Sequence, residues 1–169
     1  MTFPAFIRDN ARWLAGGFLL TFFSSFGQTF FISLSAGSIR QEYGLSHGGF
    51  GMLYMLATLA SALTLPRLGQ VVGRYSARNV TLCIVPMLAL AAVSMAISTH
   101  IVLLALTIYL LRLFGQGMLT HTSFTATGRW FSAQRGRAMS VITLGHNSGE
   151  AVFPLIFVAI SVTVGWRNT

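Results

Sequence analysis

Five stretches of the chain, residues 13–35, 48–66, 80–98, 101–124 and 138–164, are long and apolar enough to cross a lipid bilayer. No other feature limits the fold so tightly. A spanning helix needs about 20 mostly apolar residues, whereas a spanning strand needs only about 9–11. Hydrocarbon offers no water to an open backbone, so a stretch of this length has to close its hydrogen bonds internally as a helix. The expectation is an all-α polytopic membrane protein of about five transmembrane helices. Composition agrees: 8% of the 169 residues are charged and the mean hydropathy is +0.70, against roughly 25% charged in a soluble domain. The breaks between the stretches carry arginine, glycine and proline, as loops do. Nothing reads as a soluble domain or a low-complexity linker.

All 11 basic residues are arginines, set against the acids Asp9, Glu42 and Glu150, for a net charge of +8. They punctuate apolar spans and build no continuous basic face, so nucleic acid is not the expected partner. The lipid bilayer is. Basic residues collect in cytoplasmic loops. An N-terminus inside puts Arg8, Arg12, Arg67, Arg74, Arg78, Arg129, Arg135 and Arg137 in the cytoplasm, and only Arg40 and Arg167 outside. This predicts a multi-pass protein of a cell membrane, the bacterial inner membrane, with a cytoplasmic N-terminus. The first apolar run exceeds the roughly 7–15 residues of a signal-peptide core, so it reads as a span and not as a cleaved leader. Cys83 is the sole cysteine and forms no intrachain disulfide. Ser46 is placed to cap the second helix, the short Ser98–His100 hinge makes spans three and four a hairpin, and Pro86 and Pro154 predict bends.

One charge sits where it is expensive. In IYLLRLFGQGML, residues 108–119, Arg112 lies about 16 Å from the start of its span, near the bilayer midplane. A charge there costs at least about 2.5–3.5 kcal/mol unless it is paired or faces a wet cavity. Glu150, in SVITLGHNSGEAVFP, lies about 18 Å into the antiparallel span five, which predicts an Arg112–Glu150 pair. At 100° per residue, Gln116, Ser123 and Tyr109 share the Arg112 face, whereas His121 falls on the opposite side. On span five, Thr143, His146 and Ser161 share the Glu150 face by the same geometry. Ser24, Ser25 and Gln28 add polar groups to span one. The expectation is a polar cavity in which Arg112, Gln116, Gln28 and Tyr109 bind substrate, with Arg112 holding an anion, above all a carboxylate, by charge-assisted hydrogen bonds. Glu150 and His146 are the expected proton-coupling pair. A fixed ion pair that only positions two helices is the structural alternative.

Three stretches, in order along the chain, resemble the major facilitator superfamily. GQVVGRYSARN, residues 69–79, looks like the superfamily's signature between helices two and three, with Gly69, Arg74 and Arg78 matching. It departs from the pattern at Gly73, where an acid is expected, at Ser76 in place of glycine, and at Asn79 in place of a basic residue. RQEYGLSHGGFG (40–51) resembles the entry to helix two. RWFSAQRGRAMS (129–140) resembles the loop after helix four in organic-anion carriers of the monocarboxylate and oxalate/formate branch. The glycine-rich motif that ends helix five in drug antiporters is absent, since Phe153 precedes Pro154.

The resemblance implies secondary active transport of a small solute by alternating access, with Gly69, Arg74 and Arg78 in a cytoplasmic gating loop. It also implies that residues 1–169 are an incomplete N-terminal bundle, corresponding to helices one to five of a twelve-helix carrier whose second half is absent here. A missing C-terminal half, or a partner chain, and a co-transported proton or counter-anion are the implied partners. The alternatives are a non-transporting half-carrier that needs a partner, or a membrane enzyme or haem protein. The sequence has neither a Gly-x-Ser-x-Gly elbow nor a His-Glu-x-x-His pair, and its intramembrane histidines, His121 and His146, lie at different depths. No enzyme activity, cofactor or metal is expected.

Overall fold

The computed structural model describes residues 2–169. Among these residues, five helices are long and apolar enough to cross a membrane: Ala11–Leu34, His47–Arg74, Ala77–Ile97, Ile101–Trp130 and Ser132–Val164. They are called spans one to five below. No strand occurs among the described residues. A short helix, Phe3–Asp9, precedes span one, and another, Ala36–Glu42, follows it.

The ends of the spans follow local chemistry. Ser46 caps span two as expected, its hydroxyl accepting from Gly49 N at 3.0 Å. Ser76 caps span three in the same way, accepting from Asn79 N at 3.3 Å. Span two does not stop at Pro66. It runs through that proline to Arg74, which a membrane helix tolerates because neighbouring groups satisfy the backbone that proline frees. The stretch expected to be a loop between spans two and three is therefore mostly helix, and only Tyr75 and Ser76 turn. Pro86 and Pro154 also lie inside their helices. Gly44, at φ +63°, makes the left-handed turn that leads from the Ala36–Glu42 helix into span two, a conformation most side chains resist.

Span four is the hub. It packs on spans two and three along its length, on span one through residues 111–130, and on span five mainly through residues 120–130. Span one lies along span five. Their backbones approach closely because Gly145 and Gly149 face Phe18 and Phe22 carbonyls and the hydroxyls of Thr21 and Ser25. Thr21 Oγ1 donates across this seam to Ile142 O at 2.6 Å. Small residues and interhelical hydrogen bonds are how helices associate where hydrophobicity cannot drive them together. The outward faces carry exposed Leu82, Leu90, Val102, Leu155 and Val162, the surface that hydrocarbon solvates.

A ring pair marks one end of the bundle and an ion pair the other. Exposed Trp13 and Trp130 stack at 4.4 Å on the arginine-rich end, at the level where interfacial aromatics gather. At the opposite end, Arg167 donates to Glu42 at 2.6 Å and to the Met95 and Ala96 carbonyls at 3.2 and 2.9 Å. It thereby caps the C-terminus of span three. The hydrogen-bonded Glu42 carboxylate holds the Arg167 guanidinium above the usual arginine range.

Candidate functional site

The site begins with an interruption. Small polar residues compete for backbone hydrogen bonds, and in span one the run Ser24–Gly27 tightens into a 3-10 turn. Gln28 then adopts an extended conformation, φ −79° and ψ 153°, before helix resumes at Thr29. Opposite this break, span four widens into a π-helix from Leu111 to Leu119. The two irregular segments cross glycine to glycine. A Cβ on Gly115 would lie 2.7 Å from Gly27 Cα and from Gly27 N, so only two glycines allow this approach.

The crossing fixes Arg112. Its Nη1 donates to Gly27 O at 3.2 Å and to Thr29 Oγ1 at 3.1 Å. Tyr54 of span two donates to the same Thr29 oxygen at 2.9 Å, and the guanidinium carbon lies 5.5 Å from the Tyr54 ring centroid. Hydrogen bonds from charged groups contribute about 1.5–3 kcal/mol each, enough for two to offset the insertion cost of roughly 2.5–3.5 kcal/mol. The charge itself is not neutralised. Arg112 makes no ion pair among the described residues, and its Nε is buried with no acceptor.

Arg112 lines a cavity of about 420 Å³ between spans two and four, with Thr58, Ser61, Gln116, Thr120 and His121 as its other polar walls. Thr58 and Thr120 each hold a hydroxyl with no hydrogen-bond partner among the described residues. Among the described residues, no acid lines the cavity. It therefore presents one fixed positive charge, unpaired hydroxyls, an amide and an imidazole, a set suited to an anion with further hydrogen-bonding capacity.

The expected site residues separate into groups. Arg112 and Gln116 share the cavity. Gln28 is buried at the break of span one and does not line it. Tyr109 also lies outside the lining and donates to Thr64 Oγ1 at 3.2 Å. The Arg112–Glu150 pair is not formed: Glu150 is exposed and has no ion pair among the described residues. The reason is steric order, since the Gly27 turn of span one occupies the place beside Arg112 where span five was expected. His146 is half-buried on span five, and neither it nor Glu150 lines the Arg112 cavity.

The π-helix also reverses one placement. Its i→i+5 bonding puts about one more residue in each turn than the 3.6 of an α-helix, so each residue advances about 80° instead of 100°. From Arg112, that lag brings His121 back to the cavity side. It turns Ser123 away to donate to Gly17 O at 2.7 Å. His121 Nε2 lies 3.3 Å from Gly69 O, joining spans two and four below the cavity. Sequence reasoning also missed Thr58 and Ser61, although with Tyr54 they form a polar stripe at helical spacing on span two.

A family model described as Major Facilitator Superfamily matches residues 17–169, which takes in nearly all of the five spans. The chain belongs to the major facilitator superfamily. No curated protein and no solved structure matches it. The superfamily is one of membrane transporters, so this chain is assigned in general terms to moving a small molecule across a membrane. Within that assignment, the three matching signature residues occupy the arginine-rich end. Gly69 lies in the last turns of span two against His121. Arg74 ends span two and Arg78 opens span three, and both are exposed. The hydrogen bond that secures the end of span two comes instead from Arg129, which donates to Val72 O at 3.1 Å.

Proposed function

We propose that the chain is the N-terminal bundle of a secondary active carrier for an organic anion, a carboxylate, and that Arg112 is the anion-binding residue. The observation that carries this reading is the unneutralised Arg112 charge on a mid-membrane cavity without an acid. Gln116, Thr120 and the hydroxyls of span two supply hydrogen bonds that fix the carboxylate's orientation. The volume of about 420 Å³ suits a small molecule. The substrate's charge replaces the counter-ion that the protein does not provide.

Alternating access requires two repeats that rock about a midplane site, so this reading includes a second bundle facing the open side of the cavity. The stripe of exposed Thr143, Asn147 and Glu150 with half-buried His146 on span five belongs on that central, wet side, because an acid at this depth is costly against lipid. There Glu150 and His146 take the proton-coupling role. The arginine-rich end, with Gly69, Arg74 and Arg78, faces the cytoplasm and acts in gating, in a bacterial inner membrane.

Binding tests this directly. The chain in phosphatidylcholine nanodiscs is titrated with a panel of labelled mono- and dicarboxylates, a neutral sugar and an organic cation. Carboxylates bind, and Arg112→Gln lowers their affinity at least about tenfold, roughly 1.4 kcal/mol. Unchanged carboxylate affinity in Arg112→Gln, or binding of the sugar or cation alone, overturns the proposal.

A further inference from the structure

A second cavity, of about 290 Å³, opens on the outer surface where spans two and three part near the arginine-rich end. We propose that it holds one acyl chain of an anionic phospholipid, whose headgroup is bound by Arg74 and Arg78.

The groove is apolar along its length. Leu68 and Val71 of span two, Val80, Ile84 and Met87 of span three, and Met118 of span four form most of it. From Asn79 to Met87 it follows span three for about 12 Å at the helical rise, from the membrane surface toward mid-depth. Val80, Ile84 and Met118 are buried floor, whereas Cys83 and Met87 stand exposed at the lip. Spans two and three touch each other little, so among the described residues no side chain fills the seam. In a protein read as spanning a membrane, lipid hydrocarbon is the medium this seam meets.

Headgroup choice follows from charge. Tyr75 and Asn79 are the rim residues at the surface end, and the arginines Arg74 and Arg78 immediately precede them. Both arginines are exposed, and neither side chain makes a hydrogen bond or ion pair among the described residues. No carboxylate at this end is available to them. Asp9 is held by Arg8 at 3.2 Å, Glu42 by Arg167 at the opposite end, and Glu150 lies mid-span. Two unpaired cations beside an apolar groove at the membrane surface match a phosphodiester headgroup above its own acyl chain. The site is independent of what the Arg112 cavity carries.

Native mass spectrometry of the purified full chain tests it, comparing phosphatidylglycerol with phosphatidylcholine of identical acyl chains. Each arginine near the surface is worth about 1 kcal/mol toward an anionic lipid, so phosphatidylglycerol binds about 30-fold more tightly. The Arg74→Gln/Arg78→Gln double variant loses that preference, whereas Arg12→Gln keeps it. Cys83→Trp, which fills the groove, weakens both lipids. A phosphatidylglycerol with a photoreactive acyl chain, added to the unaltered chain, labels residues 80–87 of span three ahead of the other lipid-facing surfaces. Equal binding of the two lipids, a preference that survives the double variant, or labelling spread evenly over the outer surface overturns the proposal.

Discussion

Replacing Gly115 with alanine tests the crossing that builds the site. The added Cβ would sit 2.7 Å from Gly27 Cα and N, about 1 Å inside ordinary contact. Both obstacles are backbone, so no rotamer relieves the clash. Spans one and four have to separate by about that amount, and overpacking of this kind costs about 1–3 kcal/mol. The Arg112–Gly27 bond, at 3.2 Å, does not survive such a shift. Gly16 provides the control: it is helical, and a Cβ there meets nothing within 4 Å. Gly16→Ala gains up to about 1 kcal/mol of helix propensity, so the two variants should differ by roughly 1–4 kcal/mol. Unfolding in mixed micelles, by titrating a denaturing detergent against a mild one, reads the difference. If Gly115→Ala unfolds together with Gly16→Ala, the backbone crossing does not hold the site together.

Other perturbations have distinct expected outcomes. Thr21→Val removes the donor to Ile142 O, 2.6 Å away across the span one–five seam, and should destabilise by about 0.5–1.5 kcal/mol in the same titration. Thr163→Val loses only a bond within its own helix and should be near neutral. Arg167→Gln removes the cap on span three and should speed hydrogen exchange at its last turn and in residues 40–43. Because the guanidinium of Arg167 is held above the usual range, its contribution is complete below that range and is lost only above it. Protection from exchange in the last turn of span three, corrected for the base-catalysed rise in intrinsic exchange, should therefore stay constant in the unaltered protein as pH rises from neutral to mildly alkaline. His121→Ala breaks the contact with Gly69 O and should loosen the arginine-rich end of span two, seen as faster exchange around Gly69 with the Arg167 end unaffected.

The fold was legible because the bilayer imposes one length and one kind of backbone. Five apolar runs gave five spans, and the errors fell at their ends, where span two continues through Pro66 and span four reaches Trp130. The candidate site was legible in its central charge but not in phase. Arg112 stood out because a mid-span charge is costly, and Gln116 stayed beside it because four residues are too few for the slower π rotation to separate them. His121 and Ser123 exchanged places because nine π-helical residues accumulate the lag, and periodicity at 100° carries no sign of it. The pairing with Glu150 failed for another reason: matching depths on two spans say nothing about which third span lies between them. The Ser24–Gln28 run held the clue, since its polar groups mark a break in span one and not only a polar wall.

The central claim is that the Arg112 cavity is wet and favours anions, and it can be measured without knowing the substrate. With Cys83→Ser removing the sole cysteine, Gln116→Cys places a thiol on the cavity wall. Its labelling by membrane-impermeant thiosulfonates of opposite charge then reads the local potential. The account predicts that the anionic reagent reacts faster than the cationic one, after correction for their rates with a free thiol, and that Arg112→Gln abolishes the difference. Faster reaction with the cationic reagent, or a preference for the anionic reagent that persists in Arg112→Gln, would contradict it.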